Sequence, residues 1–280
     1  MYSNKDIEQY YDLSQTHYKR VWNLQRSRSL HYGYWDNSTK NFHEALLNIN
    51  KILATKAAIK KENKVLDAGC GIGGSSLWLA KNIGCNVTGI SLSAKQVATA
   101  NKLSAEEKLQ TLAIFEQQDF TATNYASESF DVIWAIESVC HAADKSKFIA
   151  EAYRLLKKGG RLIMADFFKQ QNLSGKDAAL ITQWANGWAI DDFATIEKFT
   201  EQLTQAGFTN TTIEDATDKI IPSAKRLYRA YFPGVVGGFL YKLFNPKPTV
   251  YGKKNIDTAY LQYKALKQNM WTYNIVLSEK

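Results

Sequence analysis

The chain has 280 residues, 45% of them hydrophobic and 22% charged, with a formal net charge of +8. That size and balance suit one large α/β domain, alone or with an inserted cap, and exclude a disordered or fibrous chain. No stretch approaches the roughly 18 consecutive apolar residues of a membrane-spanning helix, and the polar start MYSNKDIEQYYDLSQ does not read as a signal peptide.

Cys70, Cys85 and Cys140 are odd in number, unclustered and set in apolar contexts. They read as buried thiols of a reducing, cytoplasmic compartment. His17, His31, His43 and His141 show no ligand spacing with one another or with the cysteines, so no metal is expected. The cationic excess is interleaved with acids and is densest from Lys219 to Lys254, which holds Lys225, Arg226, Arg229, Lys242, Lys247, Lys253 and Lys254. Such an excess is either a solvated face or a surface for an acidic substrate or an anionic lipid.

Taken in order, residues 1–60 read as a helical segment. Ile7, Tyr10, Tyr11 and Leu13, then Val21, Trp22 and Leu24, form aromatic-rich amphipathic patterns. His31-Tyr32-Gly33-Tyr34-Trp35-Asp36 interrupts them, and a helix from about Asn41 to Lys60 carries Ala45, Leu46, Ile49, Ile52 and Leu53. Tyr32, Tyr34 and Trp35 either pack this segment on the rest of the chain or form part of a lid over a ligand.

The run KVLDAGCGIGGSSLWLA, Lys64 to Ala80, then predicts a buried strand, a tight glycine turn and a helix start. Glycines 69, 71 and 73 suit a turn of unusual φ and allow a ligand close to the backbone. The helix start offers N–H groups to an anionic ligand group. Gly69-x-Gly71-x-x-Gly74 also fits the dinucleotide fingerprint. Two details argue otherwise: Asp67 stands where a pyrophosphate would be repelled, and the next strand ends in Ser91-Leu92-Ser93 instead of a ribose-binding acid. A ligand with a carboxylate, an ammonium and no phosphate fits better, as in S-adenosylmethionine.

Strand–helix alternation continues, which predicts a parallel sheet. Strands are expected at Asn86–Ile90, Ala113–Gln117, Phe130–Ile136 and Arg161–Asp166. Ser93 and Gln96 form a capping box, and Asp144 caps a helix that runs through Lys157 and Lys158 to Gly159-Gly160. Gln183–Ile190 then precedes a helix at Ile196–Ala206, stopped by Gly207. A sixth strand is expected at Thr209–Asp215 and a seventh at Trp271–Ser278. Residues 219–270 between them form an aromatic insertion, long enough to be a functional cap. The first five strand ends supply Asp67, Ser91, Asp119, Glu137 and Asp166, where ligands of open sheets bind.

VLDAGCGIGGSSLWLA, VTGISLSAKQVATAN, QQDF and FDVIWAIESVCHAADKSKFIAEAYRLLKKGGRLIMADFF together resemble the class I S-adenosylmethionine-dependent methyltransferases. HYGYW at 31–35 extends the likeness to the branch of sterol, tocopherol and prenyl-diphosphate C-methyltransferases and rebeccamycin-type sugar O-methyltransferases. The resemblance covers roughly residues 31–168 and implies a Rossmann-like, seven-stranded, mostly parallel sheet with helices on both faces. The chain pattern divides into three parts: a lid segment at 1–60, a cofactor domain at 61–218 with 271–280, and a substrate cap at 219–270, the last matching the branch only in position and aromatic character. Asp67, Gly69, Cys70 and Gly71 would hold the methionine end of the cofactor, Ser91 and Gln96 the ribose, and Asp119 with Phe120 the adenine. Ile136, Glu137 and His141 would line the transfer site, with Asp166 as helper.

The insertion aromatics Tyr228, Tyr231, Phe232, Phe239, Leu240, Tyr241 and Phe244 argue for a lipophilic or ring-bearing acceptor. Tyr32, Tyr34, Trp35, Arg226 and Tyr231 are the expected acceptor contacts, with Arg226, Arg229 and Lys242 as a phosphate handle or a lipid-facing surface. Methylation of a hydroxyl would need a base such as His141, helped by Glu137 or Asp166; methylation of an alkene would need Glu137 and aromatic faces to steady a carbocation. A polar-metabolite O- or N-methyltransferase, a nucleotide-linked oxidoreductase and a non-catalytic lipid- or anion-binding module are the rivals. No nucleic-acid partner is expected, because Glu137-Ser138-Val139-Cys140 stands where an Asn-Pro-Pro-aromatic motif would be.

Overall fold

The computed structural model describes the backbone of residues 2–10, 27–244 and 250–280, and their side chains apart from 234, 236–244 and 250–255. Its strands are β1 (Lys64–Ala68), β2 (Asn86–Ser91), β3 (Ala113–Gln117), β4 (Phe130–Ile136), β5 (Leu156–Lys169), β6 (Thr209–Asp215) and β7 (Trp271–Glu279). They form one sheet in the order β3-β2-β1-β4-β5-β7-β6. Neighbours from β3 to β5 run parallel, and β7 is antiparallel to both β5 and β6. This is the mostly parallel Rossmann-like sheet that the strand pattern and the family resemblance predict.

The strand order matters for function. From β1 the chain winds outward to β2 and β3, then returns to place β4 on the other side of β1. Crossovers leave the sheet in opposite directions at that point, so the carboxyl ends of β1 and β4 flank an open crevice.

Helices cover both faces: α1 (Phe42–Lys56), α2 (Gly74–Asn82), α3 (Ala94–Glu106), α4 (Lys145–Leu155), α5 (Gly175–Gly187), α6 (Ile196–Gln205), α7 (Thr217–Phe244) and α8 (Val250–Lys267). Successive strand residues point to opposite faces, so Val65, Val132 and Trp134 pack with α1, α2, α5 and α8, while Leu66, Ile133 and Leu162 pack with α4 and α6. Burying each such large aliphatic contributes about 1.5–3 kcal/mol. Two layers of that kind hold the crevice between them rigid.

Several boundaries depart from the sequence expectation. The helix expected to reach Lys60 ends at Lys56, because Ala58 adopts a left-handed φ of 46°. Lys157 and Lys158 extend β5 and do not close α4. Leu156 is extended and pairs with Phe130, and the Lys157 ammonium bonds Asp131 at 2.8 Å. Gln183 to Gly187 lies inside α5, where Ile181, Trp184 and Ala185 bury one stripe. The insertion between β6 and β7 is two long helices, with Pro222 and Pro233 inside the first. Residues 4–10 are helical, while the aromatic pattern at Tyr11, Leu13, Val21, Trp22 and Leu24, and His17, fall outside the described residues. So do the side chains of Phe239, Leu240, Tyr241, Lys242, Phe244, Lys247, Lys253 and Lys254.

Candidate active site

The crevice holds a cavity of about 470 Å³. Asp67, Gly69, Cys70, Gly71, Ser91, Gln96, Asp119, Phe120, Ile136, Glu137 and His141 all line it. A cavity of that size at a strand-order reversal is where an open sheet binds a small ligand.

The glycine turn forms its near wall. Gly69, Gly71 and Gly73 have φ of 94°, 55° and 86°, a region that other L-residues enter at a cost. A Cβ on Gly69 would lie 2.4 Å from the Ser138 Cβ, so glycine there lets the β1 and β4 loops touch. A Cβ on Gly71 would meet nothing within 4 Å: that glycine faces open space a ligand can fill. The Gly69 and Cys70 amides both donate to the Ile90 carbonyl, at 3.0 and 2.9 Å, and so pin the turn to β2. Burial pushes the Cys70 thiol well up, which keeps it protonated and inert.

Asp67, at the end of β1, is buried and accepts a 2.5 Å hydrogen bond from Ser76 Oγ. Burial pushes its carboxyl up to about 7, and the Ser76 hydrogen bond pulls the other way. A buried acid with one neutral partner is poised to take a cation such as an ammonium.

The ends of β2 and β3 supply the next groups. Ser93 caps α3 through the Gln96 amide at 3.2 Å, yet the Gln96 side chain does not complete a capping box. Its Oε1 accepts from Ser91 Oγ at 2.8 Å, while Ser91 Oγ takes the Ser93 N–H that the box would have used. Gln96 is therefore turned to the cavity wall beside Ser91. Asp119 accepts from Thr121 N and Oγ1 through one oxygen and from Asn4 Nδ2, at 2.7 Å, through the other. Phe120 packs edge-on against Phe148, with ring centroids 5.5 Å apart.

The far wall follows β4. Glu137 has a left-handed φ of 49°, in a region that costs a non-glycine residue about 1–3 kcal/mol. Its Oε1 accepts from the Tyr32 amide at 2.7 Å and from the Tyr273 hydroxyl at 2.9 Å. Burial pushes its carboxyl well above the usual range, with nearby Asp166 adding to the shift. His141 goes the opposite way: burial lowers its imidazole to about 4 against a backbone hydrogen bond at Ala189. Of the two, Glu137 is the stronger proton acceptor.

Asp166 does not reach the cavity wall among the described residues. It is buried at the end of β5, where burial raises its carboxyl to about 6, and it accepts from the amides of Cys140 and Phe167 at 2.9 and 2.8 Å. Through the Cys140 amide it ties the 138–141 turn to the end of β5.

Four expected acceptor contacts are also directed elsewhere. The Tyr34 hydroxyl bonds Glu214 and the Trp35 indole bonds Ser223, both away from the cavity. The Arg226 guanidinium lies 4.8 Å over the Phe42 ring, and Tyr231 packs on Phe232 and Tyr260. No described side chain of residues 219–270 lines the cavity. Tyr32 is a support: buried against Phe167 at 5.4 Å, it hydrogen-bonds Gln262 of α8 through its hydroxyl. The wall that sequence reasoning assigned to the insertion is made by the N-terminal segment, through Tyr2, Asn4, Ile7, Glu8 and residues 28–31. The lid expected at 1–60 and the HYGYW stretch, which begins at His31, pointed to this segment, without assigning Tyr2, Asn4, Ile7 or Glu8 to the wall.

Glycines that open the backbone, a buried acid beside them, and polar groups at the next two strand ends fit an amino-acid nucleoside. Fold and site together define a class I methyltransferase. The Methyltransferase domain family matches residues 66–164. The 27-O-demethylrifamycin SV methyltransferase of Amycolatopsis mediterranei is 32% identical over 195 residues, 70% of this chain and 72% of that protein. The 2-methyl-6-phytyl-1,4-hydroquinone methyltransferase of a Synechocystis species is 35% identical over 176 residues, 61% of this chain and 54% of that protein. The crystal structure of the cyclase SpnF shares the fold, with a TM-score of 0.80 at 24% identity over 100% of this chain and 97% of that one. Other solved structures of this fold hold S-adenosylmethionine or S-adenosylhomocysteine. This chain belongs to the S-adenosylmethionine-dependent methyltransferases, and S-adenosylmethionine is its cofactor.

Proposed function

We propose that the protein methylates a small apolar or ring-bearing acceptor, with Glu137 as the base where a hydroxyl reacts. One observation carries this: a single cavity runs from Asp67, Ser91 and Asp119 to Glu137, with Ile7, Leu30, Ile72 and Ile136 among its walls. The cofactor, when bound, supplies a methyl group on a sulfonium already activated for in-line displacement. The protein's task is then to hold an acceptor in line and keep water out.

Asp67 takes the cofactor ammonium, Ser91 and Gln96 the ribose, and Asp119 with Phe120 the adenine; Gly69, Cys70 and Gly71 form the turn that admits the methionine end. Asn4 already donates to Asp119, which supports residues 1–60 as a lid that closes over that ring. Residues 61–218 and 271–280 form the cofactor domain. Residues 219–270 act at one remove, because Gln262 steadies Tyr32 and Tyr32 steadies Glu137.

Burial raises the Glu137 carboxyl well above the usual carboxylate range in the free site, which favours its neutral form. Beside a cation it becomes a carboxylate, since an opposite charge nearby favours the ionised form. It can then accept an acceptor hydroxyl proton as the new bond to carbon forms. His141, neutral at physiological pH, serves as a hydrogen-bonding wall. The finer partner and compartment readings have their own support. Exposed Phe232 and Val235 beside Arg229 suit peripheral contact with anionic lipid, and three buried free cysteines suit a reducing cytoplasm.

The test is to incubate the protein with methyl-labelled S-adenosylmethionine and fractionated metabolite extract. Label should enter an apolar fraction, and Glu137→Gln should stop its transfer to a hydroxyl. Label appearing only in polar, glycosylated compounds would replace this reading with that of a polar-metabolite enzyme.

A further inference from the structure

The notable unused group in the cavity wall is His31. Residues 28–32 cross the crevice from α2 to β4. A Cβ on Gly74 would lie 2.2 Å from the Arg28 carbonyl oxygen, and the Tyr32 amide bonds Glu137. His31 sits between those two anchors, on the cavity wall and 6% exposed.

Its chemistry is fixed by one contact. Nδ1 lies 2.9 Å from the Tyr32 carbonyl oxygen. A carbonyl only accepts, so Nδ1 carries the proton and Nε2 presents a lone pair. Nε2 is buried and has no hydrogen-bond partner among the described residues. Burial also lowers the imidazole to about 4, so the ring is neutral at working pH. The indole nitrogens of Trp134 and Trp184 are likewise buried without a partner among the described residues, but neither residue lines the cavity. A buried lone pair without a donor is a penalty that native structures rarely leave unexplained. At a ligand wall, the explanation is a ligand that brings the donor.

We infer that His31 Nε2 accepts a hydrogen bond from a hydroxyl of the methyl acceptor, so that the acceptor is an alcohol or phenol on an apolar frame. The inference rests on the reading of this cavity as the acceptor site, and it deepens that reading. Two rigid links tie His31 to Glu137. The Tyr32 carbonyl orients the ring, and the Tyr32 amide orients the carboxyl. A hydroxyl bound at His31 is thereby placed on the same wall as the base. An acceptor lacking that hydroxyl leaves Nε2 as unpaired as before, and gains nothing from the site.

The experiment uses the full chain labelled with ¹⁵N-histidine and two probes of the same ring, phenol and anisole. Phenol should shift the His31 Nε2 resonance towards the hydrogen-bonded value, anisole should not, and phenol should bind about five- to tenfold more tightly. His31→Asn keeps a donor for the Tyr32 carbonyl and removes the second nitrogen, so it should abolish the preference. His31→Gln, whose amide oxygen reaches the Nε2 position, should restore part of it. S-adenosylhomocysteine binding should be unchanged in both variants, which shows that they fold. A proton found on Nε2, or equal binding of phenol and anisole to the native protein, overturns the inference. Failure to bind S-adenosylhomocysteine would instead overturn the methyltransferase reading, since the phenol comparison needs no cofactor.

Discussion

The two walls of the cavity are built by different means. On the donor side Asp67, Ser91 and Gln96 are set by their own stretch of chain, while Asp119 also meets Asn4 from 115 positions away. Ser76 holds Asp67 from nine residues away, and Ser91 meets Gln96 from five. On the acceptor side Glu137 is held by Tyr32 and Tyr273, separated from it by 105 and 136 positions, and Tyr32 by Gln262 at 230. A wall made of local turns survives change elsewhere in the protein. A wall made of long-range hydrogen bonds is re-aimed by substitutions far from the ligand.

The sharpest way to break the comparison lies within the donor turn. Gly69→Val drives a Cβ into Ser138 at a left-handed φ, and the two effects together should cost about 2–5 kcal/mol. Gly71→Val meets no neighbour, so it should cost about 1–2 kcal/mol and still abolish S-adenosylhomocysteine binding. Urea midpoints and calorimetric titration check both. Equal destabilisation would mean that Gly71 serves the fold and not the ligand.

Glu137→Gln probes the other wall. The amide oxygen keeps accepting from Tyr32 and Tyr273, so the fold and S-adenosylhomocysteine affinity should hold. Turnover of a hydroxyl acceptor should fall about 100- to 10,000-fold. A matching loss of cofactor affinity would show that the walls are not separable.

The pH dependence separates them further. The Asp67 carboxyl, raised to about 7, keeps its proton in the folded protein at pH values where the unfolded chain has lost it. Its contribution to stability is thus present below the ordinary carboxylate pKa and is lost as pH rises through about 7. Ligand binding runs in the opposite sense, because an ammonium prefers the ionised acid. S-adenosylhomocysteine affinity should climb about fivefold between about pH 6 and 7, reach about tenfold by about pH 8 and then level off, with a proton released at the lower pH. Calorimetry in two buffers of different ionisation enthalpy detects that proton, and Asp67→Asn should remove both trends.

The same contrast sets how much the sequence disclosed. β4 matches its expected bounds residue for residue because a buried strand writes a continuous apolar run between turn residues; β3 and the largely exposed β6 match theirs as well. Asp67, Ser91 and Asp119 were legible because each stands at or just past the carboxyl end of an expected strand. The N-terminal segment's part in the wall was only hinted at: neither Asn4 meeting Asp119 nor Arg28 lying on Gly74 leaves a periodic trace. Arg226 and Tyr231 misled for a physical reason. Aromatic and cationic residues on a helix suit a ligand pocket and a helix–helix seam equally well. Asp166 misled in the same manner, since a carboxylate at a strand end binds loop amides as readily as it binds ligands.

The smallest expected effect tests that last distinction. Arg226→Ala removes a cation from the Phe42 ring on a partly exposed surface, a contact worth about 0.5–1 kcal/mol. Tyr231→Ala opens a stack with Phe232 and Tyr260 at the same seam. Neither touches the cavity, so kcat/KM for the identified acceptor should change less than about twofold, while melting temperature falls by a few degrees. Gln262→Leu, on the neighbouring helix, should behave otherwise. It deprives the buried Tyr32 hydroxyl of its acceptor and loosens the residue whose amide aims Glu137. Its turnover should fall by more than that of either surface variant, with cofactor affinity unchanged. An Arg226 variant that lost turnover while Gln262→Leu kept it would show that the insertion meets the acceptor directly, and the division between the two walls would have to be redrawn.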